Sequence, residues 1–299
     1  MRKSPEVMTL QTLLSDYPNT SSLRKGQLRS PRLVLNFADI PTAHHAFKDV
    51  VRELKFDVAE LAIVTYLTAK AHKKPLVLLP VVLRGKFQHE SIICNAARPL
   101  APPDLVGRRV GIRAYSVTTV TWVRGILQND YGVDLDRVKW VTFEDSHVAE
   151  VRDPDKFERA PAGKKPMTML FEGELDAVVA TGNDLKDPRV RPVISDPAAA
   201  AQAWYQRYGL VPINHMIVIK ESLSKSSPWA VEEVFRLLAE SKKAAGLPAG
   251  AGPDPFPLGV EANRKSLEMV IKYAAQQRLI PRPFQVDELF DDVTRALGR

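Results

Sequence analysis

The chain has 299 residues, 45% of them hydrophobic, enough for one large domain or two lobes around an ordinary core. Its formal charge is +7, yet Lys and Arg are interleaved with Asp and Glu, and no basic stripe with interleaved aromatics occurs. Nucleic acid is therefore not the expected partner, and the surplus suits steering of an anionic small molecule. A single cysteine, Cys94, excludes an intrachain disulfide and a Cys-rich zinc site. The first twenty residues lack the uninterrupted apolar run of a leader, and no segment approaches membrane-spanning length, so a soluble cytoplasmic protein is expected.

In chain order, the first polar feature is "DYPNTSSLRKG", a donor-rich turn carrying Tyr17, Thr20 and Arg24. Alternating β-like and helical patterns follow in "RLVLNFA", "TAHHAFKDVVREL", "AELAIVTYLTAKAH", "PLVLLPVVL" and "ESIICNA", which argues for an α/β sheet. In "LPVVLRGKFQHESIICN", Arg84 and His89 sit between two strand-like runs, where a connection between sheets would place them at a cleft edge or leave them on a surface loop. An Arg can grip a carboxylate through two parallel hydrogen bonds, and a His can move protons near neutral pH. Cys94, inside "SIICNA", reads as a structural thiol in a buried strand.

"PPDLVG", residues 102–107, marks a break before the strand "RRVGIRA". A lobe crossing is expected here, with residues 1–104 and 212–299 forming one discontinuous lobe and 105–211 the other. Next comes "AYSVTTVTW", in which Tyr115, Ser116, Thr118 and Thr119 crowd the passage from a strand to an amphipathic run. The first N–H groups of a helix lack intrahelical partners and carry the positive end of its dipole, so strand, hydroxylated turn and helix make a recipe for an anion site. One helix cap needs one hydroxyl, whereas four in five positions point to a ligand contact in the set; the alternative is a cap that binds nothing. No GxxxxGK[ST] or strand-borne GxGxxG occurs, which favours a small carboxylate over a pyrophosphate.

The second segment repeats the alternation, with strands near "VKWVTF" and "DAVVAT" and helices near "MTMLFEGE" and "AAAAQAWYQRY". His147, after "FED", lines a lobe interface or ends a strand. His215, in "PINHMIVIK", opens an apolar strand, where plain burial and a site role compete evenly. His44 and His45 fall in a helical stretch with at most one on a given face, and His72 reads as solvated. The remainder is helix-rich, interrupted by the Pro/Gly-rich loop "LPAGAGPDPFPLG". There is no HExxH and no GxSxG elbow, so local spacing implies neither catalytic zinc nor a serine nucleophile. No cofactor is evident, and a metal held by Asp, Glu and His converging from distant segments stays open.

Taken together, "LLSDYPNTSSLRKG", "FADIPTAHHAFKDVVRELKFDVAELAIVTYLTAKA", "LPVVLRGKFQHESI", "DLVGRRVGIRAYSVTTVTWVRGIL", "GELDAVV", "PINHMIVI" and "GVEANRKSLEMVIKYAAQQRLIPRPFQVDELF" resemble the 4,5-dihydroxyphthalate decarboxylase family over nearly the whole chain. The resemblance implies a two-lobed α/β fold of the type II periplasmic-binding-protein kind with an interlobe cleft. It also implies non-oxidative loss of CO₂ from a hydroxylated aromatic acid or, alternatively, capture of a small carboxylate without catalysis. Decarboxylation of a hydroxylated benzoate requires a proton at the ring carbon that carries the leaving carboxylate, and donors that hold the substrate. On that chemistry Arg84 with Ser116, Thr118 and Thr119 is expected to anchor carboxylates. His89 is the preferred proton donor and His215 the second, while Tyr115, Trp122 and Phe87 pack on the ring, with Tyr17 and Thr20 nearby.

Overall fold

A computed structural model describes residues 7–250 and 252–299, so the first six residues of the stretch scanned for a leader lie outside it. The first sheet contains β1 (Met8–Leu13), β2 (Leu33–Phe37), β3 (Val58–Ala62), β4 (Leu76–Gly85) and, far along the chain, β11 (Ile213–Lys220). The second contains β5 (Ile92–Asn95), β6 (Arg109–Ile112), β7 (Lys139–Thr142), β8 (Glu158–Arg159), β9 (Ala177–Val179) and β10 (Val190–Pro192). Helices α1 (Ser21–Arg24), α2 (Ile63–Ala71), α3 (Thr118–Asp130), α4 (Pro166–Glu172) and α5 (Pro197–Tyr208) are followed by α6 (Glu221–Ser226), α7 (Pro228–Ala244), α8 (Val260–Gln276) and α9 (Asp292–Arg295).

The two sheets share one plan. In the order β2-β1-β3-β11-β4, parallel strands β2, β1 and β3 are followed by β11, which runs antiparallel to both β3 and β4. In β10-β5-β9-β6-β7-β8, strands β9, β6 and β7 are parallel, and β5 runs antiparallel to both β9 and β10. Each antiparallel strand, β5 and β11, is the first strand after the chain passes from one sheet to the other. By sheet membership the first passage lies between Gly85 and Ile92, so β5, which the boundary at 104 assigns to the first lobe, hydrogen-bonds into the second sheet. "PPDLVG" is instead a turn inside the second lobe, with a 3-10 helix at Pro102–Leu105 between β5 and β6.

Local chemistry explains several of these elements. β3 and the first eight residues of β4 are buried throughout, as near-continuous apolar runs require when both sheet faces are covered. Pro80 interrupts β4 without ending it because β4 is the outer strand of its sheet and the ladder slips there, from Ile217 opposite Leu79 to Met216 opposite Val82. "TAHHAFKDVVREL" forms two short pieces, a 3-10 turn over Ala43–Ala46 and a π-helical turn over Asp49–Glu53, instead of one regular helix. Cys94 is buried and unpaired on β5. Among the described residues no helix is long and apolar enough to cross a membrane.

Candidate functional site

Between the two sheets lies a cavity of about 460 Å³. Part of its wall is built from residues at or just beyond the carboxyl ends of parallel strands: Ala62 at the end of β3, Arg113 after β6, Phe143 and Glu144 after β7, and Val179 with Ala180 at the end of β9. Ligand sites of open α/β sheets occupy this position because loops and helix N-termini converge there.

The hydroxylated junction meets the cavity at the start of α3. The N-cap is Val117, no side chain caps the helix, and Thr118 and Thr119 open its first turn on the cavity wall. The cap-only reading of the four hydroxyls therefore does not hold. Thr118 Oγ1 instead accepts a 3.0 Å hydrogen bond from the backbone N–H of Val64, in the first turn of α2. That bond draws together the N-termini of two helices from different sheets, and both positive dipole ends face one space. Thr119 Oγ1 accepts from Asn214 Nδ2 at 3.2 Å, and Asn214 Oδ1 accepts from the buried Gln88 Nε2, which fixes the amide's orientation.

Arg84 and Lys86 line the cavity from the end of β4 in the first sheet, and Arg113 from the end of β6, on the side of α3. Arg84 leaves the end of β4 with its guanidinium 5.6 Å from the centre of the Tyr17 ring. Arg113 lies 3.6 Å from Glu144, and its buried Nε has no hydrogen-bond partner among the described residues. The wall is thus cationic, apart from Glu144 and Asp184 at the second-sheet side.

His215, on β11, also lines the cavity. Its Nδ1 donates to Glu60 Oε1 at 2.6 Å, and the Glu60 side chain is wholly buried on β3. The same carboxylate accepts from Tyr17 Oη at 2.7 Å and from the Ser15 backbone N–H at 2.9 Å. Burial alone would raise the Glu60 pKa, but the hydrogen bond and charge of His215, then Tyr17 and Ser15, outweigh it and hold the carboxyl down to about 2. Burial pushes the Tyr17 hydroxyl upward, and Glu60 beside it adds to that, so the phenol stays a donor.

Two further histidines face the cavity. His147 Nδ1 is 2.8 Å from Thr65 Oγ1, and burial, then the charges of Arg113 and Lys48, push its pKa down to about 3. His44 is lowered to about 4 by burial and then by His45 and Arg113. Both rings are neutral at pH 7. Phe47 stands between His147 and His215, edge-on to each at 5.5 and 5.3 Å.

Of the residues expected at a site, Arg84, Thr118, Thr119 and His215 come together in the cavity wall, with Tyr17 directly behind Glu60. Thr20 closes the turn that carries Tyr17, accepting from its N–H and donating to Ser15 O. His89 does not line the cavity: it is 2% exposed in a 3-10 turn, its ring lies 5.9 Å from that of Trp204 on α5, and burial lowers its pKa to about 4. Phe87 packs edge-on against the same Trp204. Trp122 is core, donating from Nε1 to Ile213 O and packing on Tyr273. Ser116 is buried outside the cavity wall, and the Tyr115 hydroxyl donates to Gln277 O on the far side of α3. Glu60, Phe47, Arg113 and Asn214 were missed, although an acid alone within "VAELAIV" is a signal of a satisfied buried carboxylate. Among the described residues no group of three or more His, Cys, Asp or Glu is arranged to hold a metal ion.

No family model matches the chain. It is 30% identical to a 4,5-dihydroxyphthalate decarboxylase of Comamonas testosteroni, over 65% of this chain and 63% of that protein. It is also 30% identical to a 4,5-dihydroxyphthalate decarboxylase of Pseudomonas putida, over 52% of this chain and 65% of that protein. The chain therefore matches a little under two thirds of the length of these relatives. Similar solved structures include the alkanesulfonate-binding protein SsuA from Xanthomonas axonopodis pv. citri bound to MOPS, at TM-score 0.62 and 13% identity over 96% of this chain and 99% of that one. The periplasmic aliphatic sulphonate binding protein SsuA from Escherichia coli gives 0.62 at 14% identity over 95% and 98%. The desulfurization enzyme DszB gives 0.59 at 14% identity over 96% and 97%. The chain has the two-sheet α/β fold of the type II periplasmic-binding-protein kind and is a sequence relative of the 4,5-dihydroxyphthalate decarboxylases.

Proposed function

We propose that the chain is a carbon–carbon lyase that removes CO₂ from a hydroxylated aromatic acid, 4,5-dihydroxyphthalate or a close relative, in the cavity between its sheets. The observation that carries this reading is His215, hydrogen-bonded and oriented by the buried carboxylate of Glu60, in the same wall as Arg84 and Lys86. The names of the two sequence relatives supply the substrate. The fold does not choose between enzyme and binding protein, since its solved neighbours include both.

In the reaction, one carboxylate of the substrate is held by Arg84 and Lys86, and the other lies toward Arg113 and the uncapped first turn of α3. A ring hydroxyl para to the departing carboxylate feeds electrons into the ring. His215 delivers its Nε2 proton to the carbon bearing that carboxylate, and Glu60 provides the counter-charge to the imidazolium before transfer. The carbon–carbon bond then breaks, CO₂ leaves, the ring regains its aromatic sextet, and solvent returns a proton to His215. Neutral His44 and His147 can orient ring hydroxyls without adding charge where the departing group must lose it.

The test is incubation of the purified protein with 4,5-dihydroxyphthalate, with chelator-treated and metal-supplemented samples alongside. Evolution of CO₂ with formation of 3,4-dihydroxybenzoate, followed by chromatography, is the expected result. Saturable binding without turnover in every sample would replace the lyase with a carboxylate-binding protein.

A further inference from the structure

A second cavity, of about 220 Å³, lies on the far side of α3, between the second sheet and the C-terminal end of α8. Part of its wall is Arg124, which is only 5% exposed. Three aromatic rings surround the guanidinium, with Tyr115 and Trp140 at 5.0 Å and Phe157 at 5.4 Å. Ring faces attract a cation but are poor hydrogen-bond acceptors. Accordingly, Arg124 Nε and Nη1 have no hydrogen-bond partner among the described residues. Among the described residues no carboxylate lies within ion-pair distance of this buried cation, so its charge calls for a counter-ion, and the cavity that its guanidinium lines is where one can reach it.

The charges around this cavity indicate which acceptor. Arg152, Lys156 and Arg278 join Arg124, against Asp134 and Asp136. Lys156 is ion-paired with Asp136, and Asp134 accepts from the Asp136 backbone N–H, so the three guanidinium groups outnumber the one remaining carboxylate of the lining. Arg278 is held at the rim by the turn that ends α8, where it adopts a left-handed backbone at φ 58°.

We propose that this cavity is a binding site for a small oxyanion, of the carboxylate or phosphate type, held by Arg124 and closed over by Arg152 and Arg278. Its oxygens accept from the edge of the Arg124 guanidinium that lines the cavity and from Arg152 and Arg278. The net positive charge of the wall selects against neutral and cationic molecules, and the small volume excludes nucleotides. The site is separate from the interlobe cavity, which lies at the opposite face of α3's first turn, and it does not depend on what that cavity catalyses.

Equilibrium dialysis with labelled sulfate, phosphate and acetate tests the proposal in the intact chain, alongside Arg84→Ala, Arg278→Ala, Arg152→Ala and Arg124→Met. At least one equivalent of oxyanion should remain bound in Arg84→Ala, which weakens the interlobe cavity alone. Affinity should fall about tenfold or more in Arg278→Ala and in Arg124→Met, the loss expected for a charge-assisted contact. Retention of sulfate and phosphate would assign a tetrahedral ligand, and retention of acetate a carboxylate; either supports the site. Because Arg278 is exposed, its variant keeps the test valid if Arg124→Met does not fold. Unchanged affinity in both Arg278→Ala and Arg152→Ala, loss of all binding in Arg84→Ala, or no binding of any of the three anions would overturn it.

Discussion

His215 Nδ1 and Glu60 Oε1 are 2.6 Å apart across neighbouring strands, β11 and β3, whose register places His215 opposite Ala62. The bond reaches diagonally along the sheet, so in the proposed reaction the strand that returns from the second lobe carries the proton donor and β3 supplies its counter-charge. His215→Gln should lower kcat by about 10²- to 10⁴-fold, the usual contribution of a positioned acid, with a much smaller change in KM. Glu60→Gln should keep one oxygen for His215 and Tyr17, lose the acceptor of the Ser15 N–H and the charge, and lower kcat less than His215→Gln does. His89→Gln, remote from the cavity under Trp204, should leave kcat within about threefold. Steady-state kinetics on the three variants decides the matter, and a larger loss in His89→Gln than in His215→Gln would reverse the assignment.

Arg84 stands at the end of β4 with an exposed guanidinium over Tyr17, a position from which it can meet a carboxylate without rearranging the core. Arg84→Ala should therefore raise KM for the dicarboxylate about ten- to a hundredfold, equivalent to roughly 1.5–3 kcal/mol for a charge-assisted hydrogen bond. The thermal midpoint should stay near that of the parent chain. Arg84→Lys, which keeps the charge but loses the planar fork, should recover only part of the affinity. An unchanged KM in Arg84→Ala would remove this residue from the carboxylate site.

The alternation of apolar runs made the two-sheet α/β plan legible, and the density of hydroxyls in "YSVTT" marked a true helix start facing a cavity. Position within a local motif was the weaker guide. His89 sits between strands much as Arg84 does, yet a 3-10 turn folds it beneath a tryptophan from a helix far downstream. Such a contact leaves no mark in the neighbouring sequence. Glu60 was hidden for the converse reason: every residue of β3 is buried, so neither face of the strand distinguishes a solvated acid from one neutralised by His215, Tyr17 and Ser15. The crossing point was misplaced because Pro and Gly signal a turn but do not say which sheet the preceding strand has joined.

Gly125 shows how closely α3 packs on α8. A methyl group added there would collide with the ring of Tyr273, itself fully buried beside Trp122. Alanine is the better helix former by about 1 kcal/mol, so propensity alone predicts that Gly125→Ala stabilises the chain. Overpacking reverses the sign, and a net loss of about 1–3 kcal/mol is expected in urea unfolding. A variant as stable as the parent would mean that Tyr273 can move aside.

The buried histidines give the fold an acid-sensitive stability whose direction follows from their depressed pKa values. His147 titrates near 6.5 in an unfolded chain and near 3 in the native one, so between those values the unfolded state binds the extra proton. Its contribution is intact above about pH 6.5, declines as the pH falls, and stops declining below about 3. His89, lowered to about 4, acts in the same direction. Glu60, held near 2 against an ordinary 4.5, adds a further loss that begins only below about pH 4.5. From pH 6.5 to 4.5, two units on His147 amount to roughly 2–3 kcal/mol. His147→Gln retains a polar group for Thr65 but cannot take up the proton, so its stability should fall less over the same interval. Urea midpoints of both proteins at pH 7 and 4.5 provide the comparison, and equal decrements would show that His147 is not among the groups that set the slope.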